Sequence, residues 1–200
     1  MATTNAATQA EAATDPVRVV GGVEVPAAGR WSIDPGHAEV GFVGRHLVFT
    51  KVRGRFRDVK GEIVIGDDPL DSTVEVTIGM ASVDSGDETR DGHLRSADLF
   101  DAEQFPEATY RGRVASWSGS RAKVRGDLTL KGVSRPVELD VEYLGFVTDP
   151  WGGERAIYSA AATINREDWG VSWNMVLETG GLLVSREIRL EIELETVRER

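Results

Sequence analysis

Residues 187–195 read EIRLEIELE, and their reading decides the fold. Ile188, Leu190, Ile192 and Leu194 take every second position; Arg189, Glu191, Glu193 and Glu195 take the others. Successive side chains of a β-strand point to opposite faces, so this run buries one face and wets the other. The same period recurs upstream. Val74, Val76, Ile78 and Met80 oppose Thr73, Glu75 and Thr77. Val124, Gly126, Leu128 and Leu130 oppose Arg125, Asp127, Thr129 and Lys131. Val137, Leu139, Val141 and Tyr143 oppose Glu138, Asp140 and Glu142, and Val52, Gly54 and Phe56 oppose Arg53, Arg55 and Arg57. Further strands are expected near 38–49, 61–66, 107–118 and 156–164, separated by turn signals such as Gly66-Asp67-Asp68-Pro69 and the Asp-Pro-Trp-Gly-Gly of 149–153.

About eight or nine strands, each apolar on one face, favour antiparallel pairing with the other face in water. There is too little helix to cover a wide open sheet, so the sheet must close on itself or fold into a sandwich. The class expected is all-β: an extended antiparallel lipocalin-like barrel of about eight strands. A barrel of that size is either just filled by side chains or holds one small ligand. The inward candidates Gly54, Gly126, Ala160 and Ala162 are small, which favours a hollow interior.

The 200 residues fit one domain with a tail. Residues 1 to about 15 are Ala/Thr-rich and polar, with no apolar stripe to bury, and are expected to be a flexible tail. Residues 17–25 are expected to give one or two short extended pieces and 26–30 a linker, so 1–30 precede a barrel domain of 31–200. The formal net charge of −10 repels a phosphate backbone and argues against nucleic-acid binding. There is no cysteine, which removes disulfides, thiolate nucleophiles and Cys-ligated metals. The N-terminus shows no basic region followed by an apolar one, and no run has the length of a membrane span. The expected setting is cytoplasmic, with no transmembrane segment.

One stretch breaks the strand pattern. Ser85-Gly86-Asp87-Glu88 reads as a capping box with Ser85 at the N-cap, opening a charged helix over 87–99. Leu94, Ala97 and Phe100 would face inward, making the helix a plug or a lid over one barrel end. Arg90 on it is either a solvated charge or a partner of Asp84 or Asp91. A second helix start is read at Asn165, with Trp169 and Trp173 one turn apart on it.

These residues carry a resemblance. His37, Val40-x-Phe42, Arg45-His46-Leu47 and Val52-x-Gly54-x-Phe56 come first. Ser82-Val83-Asp84, Arg90-Asp91-x-His93-Leu94-Arg95-Ser96, Phe100-Asp101 and Phe105-Pro106 follow. Gly126-x-Leu128-Thr129-x-x-Gly132-Val133 and Ile164-Asn165-Arg166-x-Asp168-x-Gly170 complete the series. In this order and spacing the chain resembles the YceI-like family of lipid and polyisoprenoid-binding proteins, from about Trp31 to Glu195. The resemblance implies a lipocalin-like barrel, often dimeric, whose apolar tunnel holds an isoprenoid or fatty-acyl chain. A homodimer is therefore expected.

The histidines, His37, His46 and His93, lack the close pairing of a metal site and would meet only through the fold. No Gly-x-Ser-x-Gly, phosphate-cradling loop or dinucleotide fingerprint is present. No catalytic residue, metal or cofactor is assigned. The expected ligand wall is Val40, Phe42, His46, Val48, Phe56, Val74, Val76, Ile78, His93, Leu94, Phe100, Leu128, Leu139, Val141 and Trp173. Alternation turns His46 inward among Val40, Phe42, Gly44 and Val48, where an imidazole needs a hydrogen-bonding partner. The expected function is a non-enzymatic binder or carrier of an amphiphile with a long isoprenoid or fatty-acyl chain. Two rivals stand beside it: an enzyme acting on such a lipid through His46 and His93, and a filled-core barrel serving as a protein-interaction module.

Overall fold

The structure, a computed structural model, describes residues 15–47, 49–175 and 183–199. In chain order the elements are β1 (Val17–Val20), β2 (Val23–Pro26), β3 (Gly29–His46), β4 (Thr50–Phe56), β5 (Val59–Ile65), β6 (Thr73–Gly79), β7 (Val83–Asp84), α1 (Glu88–Arg95), β8 (Glu107–Ser118), β9 (Arg121–Leu130), β10 (Val133–Thr148), β11 (Glu154–Asn165) and β12 (Glu187–Arg198). β3, β5, β6, β8, β9, β10, β11 and β12 pair in that order, all antiparallel, and β12 returns to β3. The result is the closed eight-strand barrel that the alternating pattern calls for. Closure leaves no free edge along the ring and gives the inner apolar stripes one shared interior.

β3 is long because it has two partners on one side. β5 takes its start, with Trp31 opposite Ile63, and β4 takes its end, with Val40 opposite Phe56 and His46 opposite Thr50. The opening stretch lies on β12 as read. Leu190 faces Phe42, Ile192 faces Val40 and Leu194 faces Ala38 across the seam, while Arg189, Glu191 and Glu193 stay exposed. Gly54 is opposite Phe42, and a Cβ there would meet the Phe42 ring at 2.3 Å. Its missing side chain is what lets that ring lie flat against β4.

Two packed clusters line the barrel. One joins Ile33, Val59, Met80, Val83, Leu128 and Trp169; a smaller one joins Trp31, Ala156 and Tyr158. Trp31 is fully buried, and its indole N–H donates to the Ala27 carbonyl at 3.0 Å. Phe42, Val74, Val141, Ala162, Ile164 and Ile192 face inward yet are only partly buried. Inward side chains keep accessible surface only where the interior is not filled.

Three local expectations need correction. The short extended pieces expected over 17–25 are present as β1 and β2, but 26–30 is not a plain linker, since Pro26 ends β2 and Gly29 opens β3. β1 and β2 form a hairpin through Gly21-Gly22, whose φ angles of 60° and 83° suit glycine and a two-residue turn. Ala27 and Val25 are buried, and β3 begins at Gly29. The helix is shorter than expected and its N-cap is Asp87, not Ser85: the Asp87 carboxylate accepts from the Arg90 N–H at 2.9 Å. Asn165 does cap a turn, accepting from the Glu167 N–H at 3.1 Å, but that turn is a single 3-10 stretch, Arg166–Trp169. Gly170, at φ 72°, ends it, so Trp173 lies beyond it in irregular chain. The tail read over residues 1–14 falls outside the described residues.

Candidate functional site

Among the described residues, two cavities stand out in the barrel interior. The first, of about 180 Å³, lies toward the β1–β2 hairpin and is lined by Val25, Val74, Val76, Leu139, Val141, Ala160 and Ile192, among others. The second, of about 380 Å³, lies toward α1 and is lined by Phe42, Phe56, Leu94, Phe100, Ile164 and Ile188, among others. Val40, Ile78, Leu128 and Leu190 line both, so these four form the boundary, or neck, between two adjacent chambers. Phe42, Phe56 and Phe100 cluster on the α1 side, their ring centroids 5.6 to 6.4 Å apart.

Each expected wall residue that the structure describes lines a chamber. Val74, Val76, Leu139 and Val141 face the hairpin-side chamber. Phe42, His46, Phe56, His93, Leu94, Phe100 and Trp173 face the α1-side chamber, and Val40, Ile78 and Leu128 face both. Val48 lies outside the described residues.

The α1-side chamber carries both of the inward histidines. His46 and His93 line it together with Ser85, Arg90 and Arg166. His93 stacks edge-on against Trp173, centroids 4.4 Å apart, and its Nε2 lies 3.3 Å from an Asp98 carboxylate oxygen. Arg90 pairs with neither Asp84 nor Asp91. Its Nε donates to the Ser85 hydroxyl and one terminal N–H to the Ser85 carbonyl, both at 2.7 Å. The buried Asp91 carboxylate accepts from the Ser85 N–H at 2.9 Å and from its hydroxyl. Ser85 thus ties the helix to the chain entering it rather than capping it. Arg95 does the same from the other end, donating to the carbonyls of Ala81 and Val83 at 2.9 Å each.

Arg166 was legible only as part of a helix start, yet it is 6% exposed and lines the same chamber. It continues the even-numbered inward face of β11 beyond Ala160, Ala162 and Ile164, which is the signal that could have found it. Its Nε donates to the Ser185 carbonyl and one terminal nitrogen to the Val171 carbonyl; the other terminal nitrogen has no acceptor among the described residues. Burial lowers its pKa, but an arginine starts so high that it stays charged. A buried cation with an idle N–H on an apolar cavity favours an oxygen acceptor, or water in its place.

His37 stands apart. It is exposed, with Nδ1 2.9 Å from Asp34. Asp34, His37 and Glu195 bring potential ligand atoms within 4.8 Å of one another. Arg155 already sits among the acids, 2.5 Å from Asp34, 2.8 Å from Asp149 and 3.3 Å from Glu195. The Arg155 guanidinium and then His37 hold the Asp34 carboxyl down at about 2. This is an ion-pair network of three carboxylates around one guanidinium, and none of its residues lines either chamber.

Comparison with known proteins covers most of the chain. A family model described as YceI-like domain matches residues 31–196. The UPF0312 protein plu2095 of Photorhabdus laumondii is 39% identical over 176 residues, covering 86% of this chain and 88% of its own. BcnA of Burkholderia cenocepacia has the same fold at a TM-score of 0.71 and 22% identity, covering 82% of this chain and 98% of its own. A polyisoprenoid binding domain from Saccharophagus degradans, implicated in plant cell wall breakdown, superposes at a TM-score of 0.63 and 18% identity, covering 84% and 98%. Among the described residues, no helix is long and apolar enough to cross a membrane.

Proposed function

Because the chain belongs to the YceI-like family, we propose that it binds, and carries or sequesters, an amphiphile with a long polyisoprenoid or fatty-acyl chain inside its barrel, without transforming it. The observation that carries this reading is the pair of adjacent apolar chambers that share Val40, Ile78, Leu128 and Leu190. Removing apolar surface from water supplies about 25 cal/mol per Å², so a threaded chain gains affinity along its whole length. A polyisoprenoid's head group lies at the α1 end, where His46, His93 and the idle Arg166 N–H offer polar partners. The polyisoprenoid-binding neighbour adds support for the ligand class. The interaction-module rival needs a filled interior, and the two chambers count against it. Native mass spectrometry of protein purified without detergent, followed by lipid extraction, tests the proposal. A bound long-chain lipid is the expected result. Protein that stays at its bare mass and takes up none of a panel of prenols and fatty acids overturns it.

A further inference from the structure

The hairpin-side chamber is almost wholly apolar, but three hydrogen-bond donors on its wall have no acceptor among the described residues. The hydroxyls of Tyr143 and Tyr158 are buried and unpartnered, and so is Nε of Arg18. Tyr158 is 8% exposed. The two tyrosines face each other across β10 and β11, their ring centroids 5.6 Å apart. Burial pushes the Tyr143 hydroxyl up to about 12, with the nearby Glu24 adding to it, and raises Tyr158 further. Both stay protonated donors across the ordinary pH range. Arg18 arrives from β1. Its terminal nitrogens donate to the carbonyls of Gly66 and Asp67, which fixes the guanidinium on the rim; among the described residues its one ion pair is a 3.9 Å contact with the fully exposed Asp67. The hairpin that brings it precedes the family-matched residues 31–196, and its Gly21 turn packs on Trp117 of β8.

Orphaned buried donors of this kind are rare in folded proteins and call for an acceptor. Three of them, one charged, suit a group that accepts several hydrogen bonds at once. A carboxylate does so: its two oxygens offer about four acceptor sites. We propose that Arg18, Tyr143 and Tyr158 form a second polar subsite, at the hairpin end of the tunnel, that takes the carboxylate of a fatty acid lying wholly inside the barrel. The inference rests on the reading that the tunnel holds a long apolar chain, and the two can fail separately.

The test is the affinity of the full chain for palmitate, methyl palmitate and hexadecane, followed by tryptophan fluorescence. Palmitate is expected to bind at least about tenfold more tightly than its methyl ester, the worth of one charge-assisted hydrogen bond. Arg18→Met, Tyr143→Phe and Tyr158→Phe keep the shape of the wall and should each shrink that preference while leaving hexadecane affinity unchanged. Equal binding of acid and ester, or a preference lost in Arg166→Met and kept in all three variants, overturns the subsite alone. The first outcome leaves only water on these donors; the second moves the carboxylate to the α1 end. Failure of hexadecane and palmitate alike to bind overturns the tunnel reading itself.

Discussion

His46 ends β3 on the wall of the α1-side chamber, opposite Thr50 of β4. An apolar replacement removes a polar partner but keeps the chain-binding surface. His46→Leu should therefore weaken geranylgeraniol by about tenfold and leave the hydrocarbon of matching length unchanged, read by competitive displacement. Equal loss for both would place the head group elsewhere. Asp34 acts on stability rather than binding. Its folded pKa is depressed to about 2 by Arg155 and His37, below the ordinary 3.8. Its contribution is thus complete above the ordinary value and is lost as pH falls through the folded one. With its side chain 19% exposed, solvent screening leaves about 1 kcal/mol. Urea melts of Asp34→Asn should fall short of the parent by that amount at neutral pH and match it near pH 2. A gap that persists in acid would mean the loss is packing, not charge. Not every residue of the site was legible at this scale. Val40, Phe42, Val76 and Leu139 follow from alternation alone, because the inner face of a closed sheet is set by parity. Tyr158 did not, because a strand tyrosine reads equally as core or as wall until its hydroxyl is seen to lack a partner.

At the scale of elements, α1 covers one end of the barrel through Leu94 and the neighbouring Leu99 and Phe100, all packed on the main cluster. The helix was visible as the one charged break in a two-residue period, and Leu94 and Phe100 do face inward, but Ala97, expected beside them, is exposed and Leu99 packs inward instead. Its start also differs. Ser-x-x-Glu fits a capping box in sequence, but Gly86 takes φ 78° and turns the chain, so Asp87 reaches the helix N–H groups first. Asp87→Ala should cost about 1 kcal/mol in a urea melt, whereas loss of a side chain that capped nothing would leave the melt unchanged. The β1–β2 hairpin was harder to read. Its strands are short, and nothing in Val17 to Val25 says that Arg18 will reach Gly66 and Asp67, some 48 residues on. Contacts of that separation are made by the closed barrel, not by local pattern.

The whole molecule is a ring of antiparallel strands around a hollow, and that much was written in its period: one wet face and one dry face per strand, with too little helix to cover an open sheet. The hollowness itself was hinted at by Gly54, Ala160 and Ala162 but fixed by the register that sets Gly54 against Phe42 and Ala160 against Ile192. Division into two chambers could not be read from sequence, because the neck of Val40, Ile78, Leu128 and Leu190 draws on four strands far apart in the chain. The central claim is that the two chambers form one tunnel for one chain. The measurement that tests it most directly is affinity against chain length, from geraniol through farnesol and geranylgeraniol to longer polyprenols. A continuous tunnel predicts a steady gain, up to about 0.8 kcal/mol per buried methylene, that carries on past the length filling the α1-side chamber and levels off only when both are full. Affinity that stops rising at the shortest prenols would contradict it, leaving two separate pockets and no tunnel.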